Sequence, residues 1–375
     1  KVSKISIRKP FIKGSTSLAL TNSFITFANV YKFIVRPILF CLDPEKVHYI
    51  SLNWLKAISK IPFISGFIKA IFQTKNTLLE KELFGLKFPN PVGLAAGFDK
   101  NGKYIKELSN FGFGFIEIGT ITPLAQPGNP KKRVFRLIND NAIINRLGIN
   151  NDGSEVCAER LKNNKANIII GGNIGKNTNT SNDNAINDYI KNFSTLHPFV
   201  DYFVLNVSCP NVSNFTKLQD VAFLKELLPK LKEINVSQSK LKPILIKISP
   251  DLSNEQLDET IDLIMKEKLD GIIATNTTTK RNNLITSEEK LKQIGNGGLS
   301  GKPITSRSNE VIKYISQKTN KKLPIIGVGG IMNPKDAIDK LNAGADLIQL
   351  YTGFIYSGPS LIKKINNLII KNNKA

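Results

Sequence analysis

The chain has 375 residues, enough for one α/β barrel of roughly 250 residues and a small additional segment. Hydrophobic residues at 41% and charged residues at 22% exclude an intrinsically disordered chain and a polytopic membrane protein. The formal net charge of +22 suits nucleic acid, an anionic membrane surface or anionic small ligands. The basic residues are spread along the chain without the cluster of a dedicated nucleic-acid binder, so we expect no nucleic-acid partner.

The chain has few metal-binding and nucleophilic side chains. The three cysteines, Cys41, Cys157 and Cys209, form neither a CxxC pair nor a zinc-binding spacing, so neither a disulfide framework nor a metal site is predicted. His48 and His197 are the only histidines, which argues against a His-based triad or a His-ligated metal centre. A catalytic base must therefore come from another residue type.

The N-terminal segment is basic. Residues 1–42 contain seven lysines and arginines and no acidic residue, a composition that is typical of a mitochondrial targeting segment. The apolar stretch 17–35 is interrupted by Asn22, Asn29 and Lys32, and a single membrane span is the alternative interpretation. We assign residues 1–30 to a targeting or membrane-proximal segment.

Two short apolar helices are predicted next. Asp43 and Pro44 are typical of a helix N-cap and a first-turn proline, and the apolar residues that follow share one helix face. The segment 62–72, PFISGFIKAIF, also has helical spacing and keeps only Lys69 as a strongly polar side chain. Such helices favour an interfacial membrane anchor, and the alternative is a helical pair packed wholly on the following domain. This extension is placed at residues 31–77.

From residue 91 the chain alternates apolar runs with helical segments. Eight runs are present: PVGLAAG, FIEIGT, IIIGGNIG, YFVLNVS, ILIKIS, GIIATN, IIGVGG and LIQLY. Eight βα units predict an α/β fold, a (β/α)8 TIM barrel, within a domain at residues 78–375. Helices are expected at 154–162, 220–233, 254–266, 307–318 and 334–342. A doubly wound open sheet is disfavoured because its first turn, GLAAGFDKNG, lacks the GxGxxG fingerprint.

Glycines follow several predicted strands, at the end of the barrel where such enzymes place their active sites. Gly329-Gly330 and Thr352-Gly353 come after the seventh and eighth runs, where barrels commonly bind a phosphate through converging backbone N–H groups. Together with GGLSGK at 297–302, these glycines predict a phosphorylated cofactor. The alternative is that they only make tight turns.

Other side chains at this end suit a charged, planar substrate. Lys247 would enter an apolar barrel mouth, where a buried ammonium needs an anionic partner or an electron-rich ring such as a reduced flavin. Lys100 could hold a substrate carboxylate. Amide side chains donate and accept hydrogen bonds together and so suit the edge of a pyrimidine-like ring. The candidates are Asn145, Asn206, Asn211 and Asn276.

Cys209, in LNVSCPNVSNF, follows the fourth predicted strand. A thiol whose pKa is lowered from about 8.5 by a nearby lysine or by backbone dipoles can act as a base near neutral pH. The alternative is a small buried filler residue. The position of Cys209 at a strand end, directly before Pro210, favours the base.

These segments resemble the dihydroorotate dehydrogenases. The motifs that carry the resemblance run in order from residue 90 to residue 353: NPVGLAAGFDKNG, GFGFIEIGTITPLAQPGNPKKRVFRL, INRLGINNDG, GNIGKN, LNVSCPN, TNTT, GGLSGKP, IIGVGGI and LIQLYTG. The segment 36–56, RPILFCLDPEKVHYISLNWLK, resembles the helical extension of the quinone-linked, membrane-associated class.

The resemblance implies a site for FMN, for dihydroorotate or orotate, and for a ubiquinone-type quinone. The implied FMN contacts are Ala95, Ala96, Gly97, Phe98, Asp99, Thr120, Asn145, Asn173, Asn206, Lys247, Thr275, Gly301, Gly330, Tyr351 and Thr352. The implied substrate contacts are Lys100, Asn145, Arg146, Leu147, Gly148, Ile149, Asn206, Asn211, Asn276 and Thr277. His48, Arg136 and Tyr351 match positions that line the quinone tunnel.

The implied reaction oxidises (S)-dihydroorotate to orotate in de novo UMP synthesis, with Cys209 removing the proton. The implied protein is a monomer at the mitochondrial inner membrane, or alternatively at a bacterial inner membrane. The quinone-linked class usually carries serine as its base, whereas the soluble fumarate-linked class carries cysteine, so a fumarate-linked enzyme remains an alternative. Ile149 also departs from the family, because an aromatic residue is more usual there.

A tRNA-dihydrouridine synthase-like barrel is a further alternative, since such enzymes are basic and also place Cys-Pro after a strand. It would need an RNA-binding helical domain, and only about 20 residues follow the eighth predicted strand. A whole helical extension outweighs the replacement of serine by cysteine, and the sequence therefore favours the quinone-linked class.

Overall fold

The computed structural model describes residues 29–207 and 221–374. In chain order its strands are β1 (Lys81–Leu83), β2 (Leu86–Phe88), β3 (Val92–Leu94), β4 (Phe115–Ile121), β5 (Val134–Leu137), β6 (Ala142–Asn145), β7 (Ile169–Ile174), β8 (Tyr202–Asn206), β9 (Ile244–Ile248), β10 (Gly271–Ala274), β11 (Gly298–Gly301), β12 (Ile325–Val328) and β13 (Leu347–Leu350). Eight of them form a closed barrel in the order β10-β12-β13-β3-β4-β7-β8-β9. Every pair in this barrel is parallel, and each strand coincides with one of the eight apolar runs, so the TIM barrel is confirmed.

The helices are α1 (Arg36–Phe40), α2 (Pro44–Ile58), α3 (Ile64–Phe72), α4 (Ile105–Ser109), α5 (Ser154–Lys162), α6 (Ala185–Leu196), α7 (Val221–Val236), α8 (Asn254–Lys266), α9 (Glu288–Ile294), α10 (Thr305–Lys318), α11 (Pro334–Asn342), α12 (Thr352–Ser357) and α13 (Ser360–Asn372). The five helices expected between the strands are all present. Three of them, α5, α8 and α11, have the expected bounds.

Aromatic rings fill the end of the barrel opposite the carboxyl ends of its strands. Phe88 and Phe115 pack edge to face, with ring centroids 5.3 Å apart, and both are fully buried with Tyr202. A Cβ on Gly93 would lie 2.3 Å from the Phe115 ring, so glycine is required for that ring to fit. Complete burial of one such side chain contributes on the order of 2–3 kcal/mol. The filled end leaves the carboxyl ends of the strands as the open face.

A second, three-stranded antiparallel sheet, β11-β6-β5, lies beside the barrel. In it Asn145 is the register partner of Val134 on one side and of Gly298 on the other. This sheet was not predicted. It brings Asn145 and Gly301 to the carboxyl-end face of the barrel, where both line a cavity.

The N-terminal extension is helical, as predicted. Asp43 caps α2, because its carboxylate accepts hydrogen bonds from the backbone N–H groups of Glu45 and Lys46. The extension leaves large apolar side chains in solvent, with Trp54 70% exposed and Phe63 91% exposed. Among the described residues, no helix has both the length and the hydropathy needed to cross a membrane.

Candidate active site

A cavity opens at the carboxyl ends of the barrel strands. It is lined by Ala95, Ala96, Gly97, Lys100, Thr120, Asn145, Leu147, Gly148, Ile149, Asn206, Lys247, Thr275, Asn276, Thr277, Ser300, Gly301, Ile304, Val328, Gly329, Gly330, Ile331, Gln349, Tyr351, Thr352 and Gly353. The lining draws on the ends of seven of the eight barrel strands, all except β7, and on β6 and β11. Most of the residues implied by the family resemblance therefore converge on one cavity.

A line of hydrogen bonds runs from the cavity into the barrel. The amide of Asn276 lies 3.4 Å from the side-chain oxygen of Asn206, whose own Nδ2 donates to the Thr120 hydroxyl at 2.7 Å. Thr120 in turn donates to Asn173 Oδ1 at 2.6 Å, and Asn173 Nδ2 donates to Glu117 at 2.8 Å. Since each group fixes the next, the amide orientations at the cavity wall are set from inside the barrel.

The line ends at a carboxylate that no solvent reaches. Glu117 on β4 has no exposed surface, and its second oxygen accepts a hydrogen bond of 2.5 Å from Gln349 Nε2. The ammonium group of Lys247 lies 3.6 Å from Glu117 and is itself buried. Of the two partners that the sequence allowed for Lys247, an anion or an electron-rich ring, the structure shows an anion, the carboxylate of Glu117.

The end of the cavity beyond β12 has the shape of an anion cradle. Gly329 and Gly330 have φ angles of +119° and +75°, and a Cβ on Gly330 would lie 2.1 Å from the Thr305 hydroxyl oxygen. The buried Thr275 hydroxyl, in the cavity wall, has no hydrogen-bond partner among residues 29–207 and 221–374. A buried hydroxyl without a partner and closely packed glycine backbone fit a polar, phosphate-bearing group.

A second, apolar cavity of about 570 Å³ lies between the N-terminal helices and the barrel. His48, Arg136 and Tyr351, which match quinone-tunnel positions of the family, all line it. Arg136 donates hydrogen bonds to the carbonyl oxygens of Phe40 and Leu42 at 3.2 and 2.8 Å, and its guanidinium lies 4.5 Å from the Phe40 ring centroid. The extension is thus joined to the three-stranded sheet at the wall of this cavity.

The two cavities share a wall. The residues that line both are Gly97, Lys100, Asn145, Leu147 and Tyr351. The ring of His48 lies against Phe98 with centroids 4.9 Å apart, and burial lowers the pKa of His48 to about 4. Burial raises the pKa of Tyr351 to about 12, so both side chains are neutral at physiological pH. The second cavity is therefore an apolar chamber directly behind the first.

Comparison with known proteins identifies the family of this chain. The family model described as dihydroorotate dehydrogenase matches residues 78–372. The chain belongs to the dihydroorotate dehydrogenase family. It is 56% identical over 342 residues to the dihydroorotate dehydrogenase (quinone) of Christiangramia forsetii. This alignment covers 91% of the present chain and 99% of the relative. The corresponding protein of Trichormus variabilis is 46% identical over 352 residues, covering 90% and 93%.

Solved structures of the family have the same fold. The crystal structure of the Eimeria tenella dihydroorotate dehydrogenase in complex with ferulenol has a TM-score of 0.80 and 34% identity, over 88% of this chain and 92% of that one. The ligand-free form from the same organism gives a TM-score of 0.79 at 34% identity, over 89% and 96%. As a dihydroorotate dehydrogenase, this chain belongs to a flavin-dependent family.

Some residues that the dihydroorotate dehydrogenase resemblance implied lie away from the first cavity. Asn173 is fully buried behind Thr120, and Phe98 and Asp99 line the second cavity. The Asp99 carboxylate accepts hydrogen bonds from two backbone N–H groups, and burial raises its pKa. The guanidinium of Arg146 does not line the cavity; it donates hydrogen bonds to the carbonyl oxygens of Ile294, Asn296 and Lys132. Cys209 and Asn211 lie outside the described residues.

Sequence reasoning missed the two buried groups that organise this dihydroorotate dehydrogenase site. Glu117 lies within the apolar run FIEIGT and Gln349 within LIQLY, and the pattern of these runs predicts only strands. A polar side chain in the middle of a buried parallel strand is itself a signal, since it must have a partner inside the barrel. That signal was available in the sequence.

Proposed function

We propose that this chain oxidises dihydroorotate to orotate with bound FMN and passes the electrons to a quinone, in pyrimidine biosynthesis. The observation that carries the proposal is the shared wall between a polar cavity in the barrel and an apolar one under the N-terminal helices. A polar substrate and an apolar acceptor can then occupy separate chambers on either side of one cofactor site. This arrangement suits a reaction in two halves.

FMN would be held by the residues that line the barrel cavity. Gly301, Gly329 and Gly330 would surround its phosphate, while Thr120, Asn206 and Lys247 would lie along its ring system. FMN bound there supplies an acceptor for a hydride, which no amino-acid side chain provides. The ammonium of Lys247 adds positive charge to this wall, and Glu117 holds it in place.

Substrate binding and proton transfer fall to the chain itself. Lys100 would pair with the substrate carboxylate, and Asn145 and Asn276 would hydrogen-bond to the ring edge. Cys209 would remove the proton from the ring carbon next to the carbonyl, a step in which a positioned base contributes roughly 10²–10⁴-fold. The remaining substrate contacts would come from the segment 145–149, from Thr277 and from Asn211.

The extension, taken as residues 31–77, would attach the protein to a membrane surface and admit the quinone. Between these residues the sequence has seven basic and two acidic side chains. Apolar side chains exposed on the extension include Phe33, Ile38, Trp54, Ile61, Phe63 and Phe67. Exposed apolar groups together with positive charge favour the interface of an anionic membrane.

The membrane itself is assigned from the relatives. The curated relatives described above are bacterial, so the mitochondrial inner membrane expected from residues 1–30 is not supported, and a bacterial inner membrane is the better proposal. We also propose that residues 1–30 are a membrane-proximal segment, residues 31–77 the tunnel extension and residues 78–375 the barrel domain. The protein would be a monomer.

The decisive experiment separates the two halves of the reaction. The protein is purified in detergent, made anaerobic and mixed with dihydroorotate while the flavin absorbance is followed. Bleaching followed by recovery with a ubiquinone analogue supports the full proposal. Recovery with fumarate alone would keep the substrate and reassign the acceptor, as the cysteine at position 209 would suggest. No bleaching would refute the proposed reaction.

A further inference from the structure

An ion pair joins the N-terminal extension to the barrel. Glu45 lies in the first turn of α2, and Arg133 lies directly before β5. The guanidinium contacts both carboxylate oxygens, with Nη2 2.7 Å from Oε1 and Nε 3.0 Å from Oε2. The side chain of Arg133 is 6% exposed and that of Glu45 is 11% exposed, so this pair is largely shielded from solvent. Bidentate, buried pairs of this kind fix orientation as well as distance.

The remaining terminal nitrogen of the same guanidinium, Nη1, forms hydrogen bonds with the backbone of the loop that precedes β5. Nη1 of Arg133 donates to the carbonyl oxygens of Pro127 and Asn129, each at 2.7 Å, and lies 3.4 Å from that of Leu147. The residues 126–133, here called the support loop, therefore close around Arg133. The charge of Glu45 is what balances the guanidinium at their centre.

The support loop in turn holds residues 145–149, here called the substrate segment. Leu147 O accepts a hydrogen bond from Asn129 N at 3.1 Å. Gln126 Nε2 donates to the carbonyl oxygens of Gly148 and Ile149 at 3.2 and 3.0 Å. Arg133 O accepts from Arg146 N at 2.8 Å. The substrate segment is thus bonded to the support loop through its backbone.

The support loop and the substrate segment are closely packed against each other. A Cβ on Gly128 would lie 2.2 Å from Leu147 O and 2.9 Å from Nη1 of Arg133, and a Cβ on Gly148 would lie 2.6 Å from Asn129. Packing this close transmits displacement, since a shift of the guanidinium must move the backbone that it touches. Asn145, Leu147, Gly148 and Ile149 all line the barrel cavity.

We propose that Glu45 and Arg133 are a positioning pair for dihydroorotate: the extension, through Glu45, sets the geometry of the substrate segment. The inference rests on the proposed function for the identity of the ligand. Helix α2 of the extension would then affect the oxidation of dihydroorotate, although it does not contact that substrate. The competing interpretation is that Glu45, which also lines the second cavity, shapes the quinone tunnel alone.

The test compares Glu45→Gln with Asp43→Asn in the flavin-loaded enzyme. Both substitutions remove one negative charge at the start of α2, but within the described part of the chain Asp43 accepts hydrogen bonds only from the backbone of its own helix. The measurements are the orotate dissociation constant by titration, the dihydroorotate dependence of anaerobic flavin bleaching, and the quinone dependence of reoxidation. Amide exchange of the substrate segment is followed in parallel.

We expect Glu45→Gln to weaken orotate and dihydroorotate binding roughly tenfold, equivalent to ~1.4 kcal/mol, and to speed amide exchange of the substrate segment. Asp43→Asn should change neither. Glu45→Asp, which keeps the charge but is one methylene shorter, should lie between wild type and Glu45→Gln, and it serves if the glutamine variant does not fold.

Slower quinone reoxidation with unchanged orotate binding and unchanged amide exchange would overturn the proposal and assign Glu45 to the tunnel. Equal effects of Glu45→Gln and Asp43→Asn would overturn it as well, because the effect would then belong to the charge of the helix and not to the pair. Failure of the proposed function is distinct, since wild-type flavin would then not be bleached by dihydroorotate at all.

Discussion

Glu117 and Lys247 face each other inside the barrel with 3.6 Å between carboxylate oxygen and ammonium nitrogen, and 0% and 7% of their side chains are exposed. The Glu117 carboxylate also accepts hydrogen bonds from the side-chain amides of Asn173 and Gln349. It therefore connects the Lys247 ammonium and the cavity-wall residue Gln349 to the line of hydrogen bonds that begins at Asn276. Removing one member of a buried pair leaves the other uncompensated. The pair is therefore a structural requirement of the cavity.

Glu117→Gln should destabilise the apoprotein by about 3 kcal/mol, because the Lys247 ammonium would stay buried without its counter-charge. The flavin midpoint potential should rise in the same variant, since the added net positive charge favours the reduced, more negative cofactor. Urea unfolding and redox titration measure the two effects. Glu80→Gln is the control: its pair with Lys87 is exposed, and we expect little change. An unchanged potential would show that Glu117 does not tune the cofactor site.

Trp54 reports directly on membrane attachment, because it is the only tryptophan in the chain and its side chain is 70% exposed. If the extension inserts at the membrane interface, its emission should shift to the blue with anionic vesicles, and brominated lipid chains should quench it. Phe63→Ser, at a position 91% exposed, should weaken vesicle binding without loss of stability. An emission spectrum that vesicles leave unchanged would argue against insertion of this face.

Gly330→Ala should impair cofactor binding. A Cβ there would lie 2.1 Å from the Thr305 hydroxyl oxygen and 2.5 Å from its Cα, so the cradle backbone must shift. We expect the FMN dissociation constant of the apoprotein to rise roughly tenfold or more. Gly85→Ala is a matched control with φ of +70° and no atom within 4 Å of the added Cβ. Equal effects of the two variants on FMN binding would rule out a role for the Gly330 backbone.

The barrel could be predicted because buried parallel strands are continuous apolar runs that stand out from their neighbours. Two of the three helices whose bounds agreed have a local start signal: Ser253 forms a capping box with Gln256, and Asn333 caps α11 directly before Pro334. These signals lie within a few residues of the element that they define. The extension was predictable for the same reason, through the cap at Asp43.

In the three-stranded sheet β5 and β6 form a local hairpin, with residues 138–141 between them, but the pairing of β6 with β11 could not be predicted from local pattern. The strands are four residues long, and Asn145 pairs with Gly298, more than 150 residues away in the chain. Pairing over such a distance leaves no periodic signal in either segment. The contact of Glu45 with Arg133 has the same origin, since 88 residues separate the two side chains and nothing near either one indicates the other.

The half-buried imidazole of His48 makes stability depend on pH. Its folded-state pKa is lowered to about 4, chiefly by burial, from an unfolded value of about 6.5. Between those values the unfolded chain binds the proton first, so the folded state loses stability as pH falls from 6.5 towards 4. Wild type should lose about 1–2 kcal/mol more than His48→Gln between pH 7 and pH 5. Parallel pH dependence of unfolding in the two proteins would contradict this.

The three cysteines should separate in their reactivity towards iodoacetamide. Cys41 is exposed, whereas Cys157 is buried and its pKa is raised to about 12 by burial, so Cys41 should be modified and Cys157 spared. In a Cys41→Ser background, loss of dihydroorotate-dependent flavin bleaching should then follow modification of Cys209, and orotate should protect it. Peptide mass spectrometry assigns each modified thiol.

Cys209→Ser and Cys209→Ala complete that test of the base. Alanine removes the acceptor for the proton, so we expect flavin bleaching to slow roughly 10²–10⁴-fold while orotate still binds. Serine restores an acceptor of higher intrinsic pKa, and the rate should recover in part, with its pH profile moved to higher pH. If the alanine variant bleached the flavin as fast as wild type, the base would have to be sought in another residue of the cavity.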